Sequence, residues 1–334
     1  MKTTLVVCAR AFVLFASLTS CLSTTATPHL ASPLPMQDRV AELVIFSGAT
    51  GKVALWEEVV QATLDADIVL LAELHGHPVG LPYHAEIFSD SLRADPSAAL
   101  CLEFITRDWQ YLLDAWAEGI VEWEAVEETF LTAPSTTATP HRPLIEMAHE
   151  LGVPVYAANS PRIYTRAAKA LGYEALAALS EEQQRLFQIP SVLPSGPYRE
   201  GFYTMMSGLD EGHGVADLTT GDAPGPEEPF VPSESVKAKF RSQGLWDGTM
   251  ADTVLKALDA GANRAFLVVG SYHANNDGGI VQVLRERRPS AKVVVVTFVA
   301  EDTPDLSDAE VVERYGAMAD FVTFAGPYPQ DDPN

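Results

Sequence analysis

Ile68-Val-Leu-Leu-Ala-Glu73-Leu-His75-Gly-His77-Pro78 is the stretch on which the reading of this chain turns. Ile68 to Ala72 are apolar without a break, the pattern of a strand buried on both faces, as in a parallel sheet covered by helices. The run leads into Glu73, His75 and His77, and Pro78 ends it. Strand side chains alternate, so these three polar groups are expected on one face, with Ala72 and Leu74 on the other. A carboxylate and two imidazoles then leave the end of a buried strand together. They could ligate a metal, move protons, or line a cleft.

Similar apolar runs recur on either side. Ala98–Ile105, Val153–Ala158, Ala265–Gly270 and Val293–Val299 read as further buried strands, and Leu43–Phe46 and Phe321–Phe324 as short ones. Between them, Val53–Ala66, Tyr83–Leu92, Arg107–Ala117, Trp123–Phe130, Pro143–Leu151 and Gly279–Arg287 carry helix-spaced apolar residues. Strand alternating with helix predicts an α/β fold, a mostly parallel sheet flanked by helices. Ser160 is expected to cap a helix with Pro161 at its first position. Residues 163–245 read as an added helical subdomain. Within it, 211–232 hold four Gly, four Pro and five acids with no Lys or Arg, the composition of a mobile loop. A long helix then runs from about Ser233 to Leu258. No internal repeat is visible.

Residues 1–20 carry Lys2 and Arg10, no acid, and the apolar run Ala11–Ala16, which is too short to span a bilayer and fits a secretory signal. Leu18-Thr-Ser-Cys21 then resembles a lipobox, predicting lipidation at Cys21, a Ser/Thr/Ala/Pro tether over 21–37 and a domain over 38–326. The expected location is the cell envelope, lipid-anchored at the outer membrane. Of three cysteines only Cys101 lies in the domain, within an apolar strand, so no disulfide framework is expected. The formal charge of −23 becomes −25 once Lys2 and Arg10 are removed with the signal. Such acidity repels nucleic acid and anionic lipid heads and argues against either as a direct partner.

In open parallel sheets ligands bind beyond the carboxyl ends of the strands. Glu73, His75 and His77, Glu103, Asn159 and His273 all fall at such ends, so they are expected to converge although 200 positions separate Glu73 from His273. Glu73, His75, Glu103 and His273 suit Zn or Mn with room for an activated water. Without a metal they suit acid–base work, because facing carboxylates push one pKa upward. The bland readings are a hydrogen-bonded turn residue for each lone histidine (His77, His84, His141, His149), and an ion pair of Glu103 with Arg107 or Arg162. A scaffold with internally satisfied polar strand ends is the third possibility.

Leu-Leu-Ala-Glu73-Leu-His75, Leu-Glu103-Phe-Ile-x-Arg107-Asp-x-Gln110, Pro154-Val-Tyr-Ala-Ala-Asn159-Ser-Pro-Arg162, Leu245-Trp-Asp247-x-x-Met250-Ala and Val-Val-Gly270-x-x-His273 with Gly278-Gly-Ile resemble the ordered motifs of the ChaN-like haem-binding lipoproteins. These belong to the wider Tiki and erythromycin-esterase-like superfamily. The resemblance implies an α/β core with added helices, haem as ligand, and a role in bacterial haem and iron acquisition. It also implies a homodimer enclosing haem, with a tyrosine on the iron and a histidine of the other subunit near the propionates. Tyr198, Tyr203 and His213 are the candidates for that chemistry, with core aromatics the bland reading of both tyrosines. Two departures stand out: Gly76-His77 follows the Glu-x-His where the family often has Asp or Asn, and the family's later His-x-x-Gln is His84-Ala-Glu-Ile87 here. Distant relatives are metal-dependent peptidases and esterases, so the resemblance leaves a hydrolase built on Glu73, His75, Glu103 and His273 as the alternative.

Overall fold

The computed structural model describes residues 43–132, 139–210 and 231–328. The expected signal, Cys21, the tether, His213 and most of the expected loop 211–232 lie outside the described residues. In chain order the elements are β1 (Ile45–Ser47), α1 (Trp56–Leu64), β2 (Ile68–Glu73), α2 (Gly80–Ala94), β3 (Ala98–Thr106), α3 (Gln110–Ala117), α4 (Trp123–Thr132), α5 (Arg142–Glu150) and β4 (Val155–Asn159). Then come α6 (Arg162–Leu171), α7 (Tyr173–Ala177), α8 (Glu181–Gln184), α9 (Gly196–Asp210) and α10 (Glu234–Asp259). β5 (Arg264–Gly270), α11 (Ser271–Ala274), α12 (Gly279–Arg287), β6 (Val293–Val299), α13 (Asp308–Tyr315) and β7 (Phe321–Phe324) follow.

The seven strands lie in the order β1-β7-β6-β2-β5-β3-β4. All neighbours are parallel except β1, which runs antiparallel to β7. The uninterrupted apolar run of β2 is explained by its place: all six residues are buried, with β5 on one side and β6 on the other. Its side chains serve both faces in alternation. Val69 and Leu71 join the core formed with α1, α2, α4 and α5, while Ile68, Leu70 and Ala72 join the core formed with α10, α12 and α13. Cys101 is wholly buried in the second core, which pushes its thiol up to about 12. It is an inert apolar filler there.

The added helices form two satellite clusters, one around Ala168, Leu176, Phe187 and Leu245 and one around Tyr198, Phe202 and Phe240. Both lean on α10. A buried ion pair pins this helix to the sheet: Arg107, just past β3, reaches Asp252 at 2.7 Å and the Thr249 carbonyl at 2.9 Å. Arg107 is therefore the partner of Asp252 and not of Glu103. Two local expectations give way. Ser160 does not cap α6, since Pro161 is the N-cap and the Asn159 side chain accepts from the Ser160 amide at 2.8 Å. β2 ends at Glu73 and the chain turns through Gly76 at φ +74°, so the expected alternation stops before His75 and His77.

Candidate functional site

His77 is turned inward. Its Nδ1 accepts from the Gly80 amide at 3.2 Å, at the start of α2, and its Nε2 lies 3.0 Å from the Gly326 carbonyl. It ties the helix start to the C-terminal segment and holds no ligand position. His75 is left at the surface, its side chain 58% exposed.

Glu73 is the centre of the first arm. One carboxylate oxygen lies 3.3 Å from His75 Nδ1, and the other lies 3.0 Å from Nε2 of His141, a buried residue just before α5. The His141 ring stacks on Phe104 at 4.3 Å. Burial pushes the Glu73 carboxyl up, but the hydrogen bonds from His141 and His75 outweigh it and hold the group down at about 2. The bond to Glu73 in turn raises the pKa of His75. Behind this arm, burial pushes His84 down to about 4, so it is a neutral neighbour.

The second arm lies on the opposite side of the sheet. The pairing of β3 with β4 is irregular between Leu102 and Thr106, and on the β5 side the Glu103 carboxylate accepts from the Gly270 amide at 2.5 Å. Its other oxygen stands 3.6 Å from His273 Nε2. His273 Nδ1 is 2.6 Å from Asp247 on α10. Burial pushes His273 down, yet the carboxylates of Asp247 and Glu103 prevail and raise its pKa. The other oxygen of Asp247 accepts from the Tyr198 hydroxyl at 2.8 Å, and Gln243 donates to the same hydroxyl at 2.9 Å.

The two arms meet at Gly270, the last residue of β5, which lies between β2 and β3. A Cβ there would stand 2.8 Å from His75 Cε1 and 3.4 Å from Glu103 Oε2. Glycine therefore leaves the opening in which His75 and Glu103 face each other. Tyr328, 45% exposed, donates to the His75 carbonyl at 3.1 Å.

The expected set Glu73, His75, Glu103 and His273 is thus brought together, as two carboxylate–imidazole pairs. Asn159 is not part of it and serves its own turn. Among the described residues no group of three or more His, Cys, Asp or Glu side chains is placed to hold a metal ion. The Tyr198 oxygen is buried and engaged by Asp247 and Gln243, and burial raises its pKa well above the ordinary value. Tyr203 is half-buried, edge-on to Phe240 at 5.3 Å and near half-buried Met205 and Met206. His141, Asp247, Gln243 and Tyr328 were not singled out as site residues from sequence. Only Asp247 carried a signal, its place in the Leu-Trp-Asp motif.

Comparison with curated proteins gives no match. Among solved structures, ChaN of Campylobacter jejuni, in a structure described by its cofacial haem binding, aligns at TM-score 0.59 with 17% identity, over 86% of this chain and 97% of that one. This likeness is one of fold. The erythromycin esterase EreC, as a mutant in its open conformation, aligns at TM-score 0.46 with 10% identity, over 86% of this chain and 99% of that one. The family described as haem-binding uptake, Tiki superfamily, ChaN matches residues 59–284, which is more than half the sequence, and the chain belongs to that family.

Proposed function

We propose that this protein binds haem and works in bacterial haem or iron acquisition; its membership in a family described by haem-binding uptake carries the reading. The donor chemistry fits. Tyr203 offers a phenol in half-buried apolar surroundings beside Met205, Met206 and Phe240, and phenolate is a hard donor suited to ferric iron. His75 offers an exposed imidazole. Haemin titrated into the chain lacking residues 1–21 is expected to give a saturable Soret band of tyrosinate type, weakened at least tenfold in Tyr203→Phe. Absence of a saturable band sinks the proposal. Light scattering on the same samples tests whether haem drives a homodimer. Anchoring to the outer membrane through lipidated Cys21 belongs to the same proposal.

A second reading is favoured by one observation, that His273 is held between Asp247 at 2.6 Å and Glu103 at 3.6 Å. An imidazole so placed can accept a proton from water while the resulting hydroxide attacks an ester carbonyl, and can then return that proton to the departing alkoxide. Water and ester become acid and alcohol, and no redox partner is needed. Turnover of p-nitrophenyl esters that disappears in Glu103→Gln supports this reading, and a wild-type protein inert across such esters removes it.

A further inference from the structure

We infer that Tyr198 and Asp247 are positioning residues for His273, fixing its ring with Nδ1 protonated and Nε2 turned toward Glu103 in the opening between the two arms. The inference deepens the acid–base reading of the site. Only the kinetic part of its test depends on that reading.

His273 Nδ1 lies 2.6 Å from Asp247 Oδ1 and 3.2 Å from Gln243 Nε2. A carboxylate can only accept at that short distance, so Nδ1 carries a proton. That choice makes Gln243 Nε2 a neighbour of the ring and not a donor to it. One of the two amide N–H groups goes instead to the Tyr198 hydroxyl at 2.9 Å, and that hydroxyl gives its own proton to Asp247 Oδ2 at 2.8 Å. Asp247 then accepts from both Tyr198 and His273, and the direction of these three bonds is fixed. Burial of the Tyr198 hydroxyl keeps it protonated, which the arrangement requires. Nε2 is left facing Glu103 Oε1, so a proton held there is shared between these two groups and a molecule in the opening.

The line is assembled from separate elements packed without slack. Tyr198 comes from α9, Gln243 and Asp247 from α10, and His273 from α11. The Tyr272 hydroxyl holds the Tyr198 carbonyl at 3.0 Å while the two rings lie 5.1 Å apart. Gly279 at the start of α12 lies against the line, since a Cβ there would fall 2.0 Å from Asp247 Oδ2 and 2.8 Å from Tyr198 Cε1. Stability alone gives little reason for such a line. A buried carboxylate with its polar partners is often no more stable than apolar residues of the same volume. What the line does provide is one orientation and one tautomer for a single imidazole, whose other nitrogen points out of the core.

The test is imidazole nitrogen NMR of histidine-labelled protein spanning residues 22–334, with circular dichroism to confirm folding. Wild type is expected to show His273 as the Nδ1–H tautomer with a strongly deshielded ring proton. In Tyr198→Phe that proton resonance moves toward the value of an ordinary imidazole, and in Asp247→Asn the ring shifts to the Nε2–H tautomer. If wild-type His273 is the Nε2–H tautomer, or if both folded variants leave its spectrum unchanged, the inference is overturned. Should Asp247→Asn not fold, Tyr198→Phe still decides the role of the phenol. With p-nitrophenyl esters, kcat is expected to fall on the order of 10²- to 10⁴-fold in Asp247→Asn with KM little changed, as when an oriented base takes the wrong tautomer. Tautomer shifts together with a wild type that hydrolyses none of these esters sustain the positioning role and remove the hydrolase reading.

Discussion

Glu73 remains ionised where burial alone would neutralise it, because two imidazoles donate to it. Its folded pKa of about 2 lies below the ordinary 4.5, so the charge contributes stability that is fully present above pH 4.5 and is lost as the pH falls toward 2. The shift corresponds to on the order of 3 kcal/mol. Denaturation midpoints measured from pH 6 to pH 2 are expected to fall steeply in wild type and to flatten in Glu73→Gln; equal slopes would refute the assignment. Glu73 and Glu103 were legible in sequence because an unpaired charge at the end of a buried run is costly, and His75 and His273 because they follow such runs within three residues. His141 was not, since it lies 68 positions from Glu73 in a stretch with no strand or helix pattern of its own. Tyr198 was legible as a residue of interest, but no sequence pattern distinguishes a phenol facing iron from one facing a buried carboxylate.

β4 is an edge strand, and parallel edges invite pairing with another chain. Here Gln110 on α3 covers it: the side-chain amide donates to the Val155 carbonyl at 2.9 Å and accepts from the Ala157 amide at 2.7 Å, standing in for a neighbouring strand. Gln110→Ala is expected to cost about 1–3 kcal/mol in chemical denaturation, from two lost hydrogen bonds to backbone groups, and to promote self-association. An unchanged midpoint would show that water replaces the amide without loss. Strands and long helices were legible because burial on both faces, or helical spacing, leaves a mark in every residue. The register shift between Leu102 and Thr106 and the inward turn of His77 were not legible. Both arise where the chain leaves the regular ladder, and such departures leave no periodic signal.

The two arms sit on opposite sides of one sheet, Glu73 lying two residues beyond Leu71 of the first core and Glu103 two beyond Cys101 of the second. No helix among the described residues is long and apolar enough to cross a membrane. The proposed attachment is through Cys21. Cys21→Ser is expected to move the protein from the detergent-extracted membrane fraction to the soluble one. Retention in membranes would remove the anchoring proposal. The sheet order also bears on biosynthesis. β5 lies between β2 and β3, yet it is translated more than 150 residues after either of them begins. On the ribosome, β2 and β3 wait with apolar flanks for a partner that has not been made, a topology whose long-range pairing slows folding and exposes unfinished edges. Glu73 and Glu103 come together only when β5 slots in, carrying Gly270 and, three residues on, His273. The site therefore comes into being when β5 enters the sheet, with β6 and β7 still to be made: a shorter nascent chain carries Glu73, His75 and His141 but not His273.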